Sequence, residues 1–406
     1  MELLFFLVIL YLTSKLLLDY HQINFISNAD VSRNEISRLG IDDTFVDQSN
    51  NYNIFKIKIS AISTLVNSAL IIFVLFLDGY SYLYNYSNLI TISFINNELG
   101  VILIYFLISI LINLPISYYQ TFIIEESFGF NKMTKNLFIK DTLITSIFSL
   151  IIISILFKLF EILYVSANDL WWFYMWIIFI LTNLIAAYVF PTIIAPLFNK
   201  FTKLDNPELI KTIDSLVAET KFPVNDLYVM DGSKRSAHSN AYFTGLFGKK
   251  RIVFFDTLLE MLSASELKSV LAHEIGHYKK RHIFKSLILF SFISLVFIFI
   301  FHLFVQTTFT EFDNLQSLTP SFIAILFIVI SPLISFFLKP FLSSFSRKNE
   351  FEADNYAKEY SEKQHLISSL LKLYRGNLSL IKSSPLYSAF YYSHPSVFDR
   401  IENLEK

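Results

Sequence analysis

Long apolar runs separated by polar stretches organise this chain. Seven runs, at residues 3–18, 59–77, 101–119, 143–165, 171–198, 284–305 and 322–342, are long enough to cross a hydrocarbon core, which takes about 20 helical residues. Pro115, Pro191 and Pro332 fall inside them, as membrane helices allow when neighbouring helices satisfy the freed carbonyls. The first run has Lys15 at its C-terminal end and no small-residue cleavage site after it. It reads as an uncleaved membrane helix rather than a signal peptide.

The polar stretches alternate in charge. Arg33, Arg38, Lys56 and Lys58 follow the first run, and Lys132, Lys135 and Lys140 follow the third, whereas the second, fourth and sixth connections carry no Lys or Arg. Because basic loops stay cytoplasmic, the N-terminus is expected outside. The two long polar segments, 199–283 and 343–406, are then expected in the cytoplasm. Each is small for a domain of roughly 100–150 residues, so they are expected to build one α+β catalytic domain together. The predicted organisation is membrane helices one to five over 1–198, a catalytic segment over 199–283, helices six and seven over 284–342, and a second catalytic segment over 343–406.

Composition agrees with an α-helical polytopic membrane protein. Hydrophobic residues make up 54% of the 406 and charged residues 17%, against roughly 25% charged in soluble chains. A net charge of −1 gives no attraction to nucleic acid. There is no cysteine, so any metal must be held by nitrogen and oxygen.

The strongest chemical signal is His273-Glu274-Ile275-Gly276-His277. On a helix, positions i and i+4 share a face, so both imidazoles can meet one zinc ion while Glu274 serves as general base. Ser263-Ala264-Ser265-Glu266 has the form of a capping box, and Leu267, Val270 and Leu271 extend an apolar stripe toward the motif. The competing reading is a chance match on an ordinary helix. A catalytic zinc needs a third protein ligand, and Glu350 is the best candidate. A helix over 347–357 puts Glu350, Asp354 and Ala357 on one face with Glu352 turned away, so Asp354 is expected to hold the outer N–H of a ligand histidine. A solvated charged helix is the alternative there.

Residues 239–245 followed by 250–255 read as a β-hairpin. An exposed edge at Asn240, Ala241 and Tyr242 would bind a peptide through main-chain hydrogen bonds, unless the hairpin is purely structural. His394 and Arg400 near the C-terminus are candidates for hydrogen bonding a developing oxyanion, against the readings that they are surface residues or that Arg400 anchors the C-terminal segment through a structural ion pair.

Taken together, HEIGH, EFEAD, SKRSAHSNAYFTG, KRIVFFDTLL and the terminal HPSVFDR, with ESFGFNK at 126–132 and PTIIAPLFN at 191–199, resemble the type I CAAX prenyl endopeptidases. These are seven-helix membrane zinc metalloproteases of the endoplasmic reticulum, with bacterial relatives. The resemblance runs from Glu125 to Arg400; earlier residues match in helix layout only. It implies one Zn2+ per chain on His273, His277 and Glu350, Glu274 as base, Asn240 and Ala241 in a substrate strand, and His394 and Arg400 at the oxyanion. It also implies a large water-filled chamber enclosed by the helices. The implied substrates are peptides or proteins at the lipid bilayer, prenylated or not. Ser396 departs from the family, which often has a second proline there, and the loops are short, which bears on substrate entry rather than on a metal ligand.

A transporter would need polar residues near the helix midplanes, and these helices are mostly Ile, Leu and Phe. A protease cutting within the bilayer would carry its motif in an apolar span, whereas Lys279, Lys280, Arg281 and His282 follow directly here. A catalytically dead chaperone is disfavoured because every catalytic position is filled. Heavy Ile, Asn, Lys and Phe usage and the lack of a C-terminal retention signal lead to the expectation of a bacterial inner-membrane protein.

Overall fold

The computed structural model describes residues 2–28, 39–90, 95–244, 250–309 and 319–406, with the side chains of Asn225, Thr244 and Phe309 left aside. The predicted Arg33 and Arg38 lie outside those residues. Among the described residues, seven helices are long and apolar enough to cross a membrane. In chain order the helices used here are α1 (Glu2–Asn28), α2 (Asp43–Phe76), α3 (Gly79–Ser87), α4 (Asn97–Tyr119), α5 (Lys135–Ser166), α6 (Trp171–Val189), α7 (Pro207–Thr220), α8 (Ala264–Lys279), α9 (His282–Phe309), α10 (Pro320–Tyr360), α11 (Lys363–Gly376), α12 (Pro385–Tyr391) and α13 (Val397–Glu405). The spans are α1, α2, α4, α5, α6, α9 and α10. Helix α4 continues through a π-helical turn, Gln120–Glu125, and α6 through another, Phe190–Ile194, opened by Pro191.

Two helices outrun their apolar segments furthest. Helix α2 begins at Asp43, where the Asp42 carboxylate accepts from Phe45 N at 2.7 Å, so the polar stretch before residue 59 is helix rather than loop. Helix α10 runs unbroken for 41 residues, roughly 60 Å or twice the hydrocarbon thickness. Hydropathy changes at 342/343, the boundary expected between the seventh membrane helix and the second catalytic segment. Nothing between Ser343 and Arg347 stops a helix, and Pro332 and Pro340 are carried inside it. The residue that ends up at the site, Glu350, is therefore fixed to a membrane-spanning rod.

One apolar core lies among the spans: Leu4, Val8, Leu70, Val74, Ile102, Phe157, Ile323, Leu326 and Val329 are all buried together. A second joins both polar segments. Ile213 and Leu216 of α7, Leu267, Leu271 and Ile275 of α8, Ala357 of α10, Leu366 and Leu370 of α11, and Val397 and Ile401 of α13 share it with Ile252 and Phe254. The last two belong to a four-stranded sheet of β1 (Phe201–Lys203), β2 (Val224–Met230), β3 (Ala241–Thr244) and β4 (Lys250–Phe255), ordered β1-β2-β4-β3. Strands β3 and β4 form the predicted hairpin, pairing Ala241 with Phe254 and Phe243 with Ile252, and β3 is a sheet edge. The parallel β2–β4 pairing has no counterpart in the sequence reading.

Helix α8 crosses α10 closely because Gly276 has no side chain. A Cβ there would stand 3.1 Å from Ala353 Cα, Ala353 O and Tyr356 Cβ, closer than carbon atoms pack. This close approach sets Glu350 and Asp354 beside the histidines one turn away.

The predicted capping box opens α8. Ser263 Oγ accepts from Glu266 N and Glu266 Oε2 accepts from Ser263 N at 2.8 Å. Glu266 also receives Ser368 Oγ at 2.7 Å and Lys372 Nζ at 2.8 Å from α11. Burial alone would raise this carboxyl, but the bonds from Lys372, Ser368 and Ser263 outweigh it and hold its pKa down to about 2, against an ordinary 4.5. A carboxylate whose pKa is depressed on folding contributes stability that is complete above pH 4.5 and lost as pH falls toward 2. Glu266→Gln should therefore lower stability by roughly 2 kcal/mol at pH 7, after screening of the exposed ammonium. The deficit should shrink on acidification. Melting curves of both proteins in detergent from pH 7 to 3 check this, and a deficit that stays constant with pH refutes it.

Candidate metal centre and active site

His273 and His277, one turn apart on α8, turn their Nε2 atoms to within 3.1 Å of each other. Glu350 closes the triangle from α10, with Oε2 at 3.4 Å from His273 Nε2 and Oε1 at 3.4 Å from His277 Nε2. For tetrahedral zinc with bonds of about 2.0–2.1 Å, ligand atoms stand roughly 3.3–3.4 Å apart. The donor set fits a cation in a second way. The two imidazole Nε2 atoms face each other, and Glu350 Oε2 is buried with no hydrogen-bond partner among the described residues, an arrangement that a positive charge between them would satisfy. His273, His277 and Glu350 form the one such grouping found among the described residues.

Behind this triangle, His273 Nδ1 is 2.8 Å from Asp354 Oδ1, the partner expected from the sequence. Asp354 is in turn held by Arg400, whose Nε and Nη2 lie 2.9 and 2.5 Å from its two oxygens. The guanidinium is buried, and its Nη1 stands 3.7 Å from Glu350 Oε2. Arg400, expected at a developing oxyanion, makes a buried bidentate ion pair with Asp354 and also lines the cavity beside Glu350 and His394. Such a fork is the strongest form of carboxylate binding. The His394 Nε2 atom is 3.4 Å from Glu350 Oε1, and its Nδ1 is 3.1 Å from Ser393 Oγ. The ring opens onto a cavity, with 64% of the side chain exposed. Even so, the surrounding protein, and then the Arg400 charge, push its pKa down against the opposing pull of Glu350.

That cavity, about 1080 Å³, is lined by Asn240, Ala241, His273, Glu274, Glu350 and His394 among others. Glu274 thus shares its wall with the histidine and carboxylate of the triangle. Tyr242 does not reach it: its side chain points the other way along β3, packing on Phe255 with ring centroids 6.3 Å apart. The strand register refines the edge further. Phe255 N donates to Asn240 O at 3.0 Å, and hydrogen-bonded pairs alternate along an antiparallel ladder. The main chain of Tyr242 is therefore spent on β4, while Ala241 and Phe243 turn theirs to the open edge, where Asn240 Oδ1 accepts from Ala241 N at 2.8 Å.

Sequence reasoning missed what anchors this edge. Tyr52 OH donates to Glu125 Oε1 at 2.8 Å, His238 Nε2 lies 3.3 Å from Glu125 Oε2, and Asn377 Oδ1 receives Ser239 N at 3.2 Å with His238 Nδ1 at 3.1 Å. Phe130 stacks on the His238 ring at 4.0 Å. The group ties α2, the π turn after α4, and α11 to the residues just before β3. His238 lies in one of the motif stretches and Glu125 directly before another, but no spacing rule connects positions so distant in sequence.

Residues 203–406 match peptidase family M48, and residues 31–200 match the CAAX prenyl protease N-terminal region of five membrane helices. The chain is 40% identical over 318 residues to CAAX prenyl protease 1 of Saccharomyces cerevisiae, covering 73% of this chain and 70% of that one. It is 38% identical over 310 residues to the CAAX prenyl protease 1 homolog of Dictyostelium discoideum, covering 74% and 71%. The crystal structure of S. mikatae Ste24p superposes with a TM-score of 0.90 at 32% identity, covering 98% of this chain and 97% of that one. These relatives are eukaryotic and lend no support to a bacterial source.

Proposed function

Given that the chain belongs to the membrane metallo-endopeptidases of peptidase family M48 that include the CAAX prenyl proteases, we propose that its metal is one zinc ion held by His273, His277 and Glu350. The observation that carries this is the triangle of ligand atoms 3.1–3.4 Å apart on the wall of a cavity shared with Glu274. Zinc in such a site supplies Lewis-acid polarisation of a carbonyl and makes a water acidic near neutral pH. Glu274 takes the proton of the attacking water as the C–O bond forms and returns it to the amide nitrogen as the C–N bond breaks. His394 offers its Nε2–H toward the side where the carbonyl oxygen gains charge. The open main chain of Ala241 and Phe243 aligns an extended substrate as an added strand.

The substrates we propose are prenylated CAAX-type peptides, by the names of the relatives, or other membrane-associated peptides that reach the cavity. Purified protein should cut a farnesylated CAAX peptide, lose the activity to a chelator and regain it with zinc. Cleavage that persists without metal overturns the mechanism. Zinc-dependent cleavage of other peptides alone overturns only the prenyl assignment.

The polar segments face the cytoplasm in this reading. In a chain without cysteine, single cysteines at Asn88 and Lys135 test it: impermeant reagent on intact cells should label the first and not the second. The opposite pattern inverts the orientation.

Arg400 acts here by holding Asp354, and through it His273. Arg400→Lys keeps the charge but loses the fork, and should cost about 1–2 kcal/mol of stability and weaken zinc binding. At saturating zinc its kcat should stay near wild type. An oxyanion donor would instead show about a hundredfold to thousandfold lower kcat under the same conditions.

A further inference from the structure

The two histidines of the metal site are supported differently. His273 has a carboxylate on its outer nitrogen, whereas the outer nitrogen of His277, Nδ1, meets another imidazole, His282 Nδ1, at 2.9 Å. His282 is 3% exposed, and its remaining nitrogen, Nε2, lies 3.0 Å from Glu352 Oε2, which Lys285 Nζ approaches to 3.7 Å. The turn that brings His282 back under α8 is itself costly. Arg281, between α8 and α9, sits at φ +57, a left-handed conformation that a side-chain-bearing residue adopts at a penalty of about 1 kcal/mol or more.

Counting protons fixes the direction of this chain. A cation at the triangle takes the lone pair of His277 Nε2, so the ring proton of His277 is on Nδ1. That N–H can only be accepted at 2.9 Å if His282 Nδ1 carries no proton. The proton of His282 is then on Nε2, where it donates to Glu352. Every nitrogen in the chain is either a donor facing an acceptor or an acceptor facing a donor, and a doubly protonated His282 would set two N–H groups against each other.

We propose that His282 and Glu352 are positioning residues for His277: a relay from imidazole to imidazole to carboxylate that fixes the His277 tautomer and ring plane and thereby raises zinc affinity. This rests on the assignment of His277 as a ligand. Glu352 is two residues from Glu350 on α10 and points away from the triangle, so one helix supplies a ligand to the metal and, from its other face, the end of the relay. Partners of this kind, one bond removed from the metal, typically change affinity 10–100-fold when lost.

The test is the zinc dissociation constant of the full-length protein, stripped of metal in detergent and titrated against a competing chelator. His282→Ala should bind zinc about 10–100-fold more weakly. His282→Asn places Oδ1 where Nδ1 stood and should recover most of the loss, because it still accepts from His277. Glu352→Ala, at a half-exposed position that does not endanger folding, should fall between wild type and His282→Ala. Melting of the metal-free forms is measured alongside, and the proposal requires affinity to change where metal-free melting does not. Wild-type affinity in His282→Ala, or a correctly melting His282→Asn that recovers nothing, overturns the relay while leaving the ligand set intact. Wild-type affinity in His277→Ala overturns the ligand assignment and the relay together.

Discussion

Glu274→Gln should purify as a folded, zinc-loaded protein that scarcely hydrolyses peptide. The amide has the shape of the carboxylate and touches no ligand, so the triangle of His273, His277 and Glu350 is left as it was. What disappears is a group able to take a proton from water and give it to the leaving nitrogen. General acid–base assistance is worth about a hundredfold to ten-thousandfold, and here one residue supplies both transfers, so the loss should lie toward the upper end. The expected pair of measurements is one zinc per chain and kcat reduced by about three to four orders of magnitude, with KM little changed because the edge at Ala241 and Phe243 remains. Wild-type turnover in a fully loaded variant would remove Glu274 from the mechanism, and loss of zinc would mean that it supports the metal instead.

The second large effect concerns Glu350. Zinc sites with a full set of protein ligands bind with about 10–16 kcal/mol, so deleting one of three should cost about 3 kcal/mol or more, beyond a hundredfold in affinity. Glu350→Ala also leaves the Arg400–Asp354 pair intact and removes the carboxylate that faces both Nε2 atoms. Metal analysis after dialysis should give a substoichiometric protein, inactive at ordinary zinc and partly restored by excess. Full occupancy under dialysis would remove Glu350 from the ligand set.

How much of this was legible in the sequence follows from the range of the forces involved. The membrane helices could be read because each is specified by a local run of apolar residues, and the α8 start could be read because Ser263 and Glu266 cap one turn. His273, His277 and Asp354 were placed by helical periodicity alone. The unbroken α10 was missed because a change in hydropathy, at 342/343, is a change of solvent and not of backbone preference. Arg400 was assigned by its charge and its family position; the partner it found, Asp354, is 46 residues away, and only packing of α13 against α10 decides whether a guanidinium faces substrate or carboxylate. The network of Tyr52, Glu125, His238 and Asn377 and the relay through His282 and Glu352 have the same character. They are set by which helices cross, and Gly276 at the α8–α10 contact is the one sequence clue to that crossing.

The order of the site residues along the chain has a consequence for synthesis. His273 and His277 leave the ribosome first, Glu350 follows beyond α9 and the apolar part of α10, and His394 and Arg400 come later still. A nascent chain therefore holds the two imidazoles without Glu350 until α9 and most of α10 have been made. On the proposed ligand set, a product arrested before Glu350 holds the two imidazoles without that carboxylate beside them and has no site to cut with.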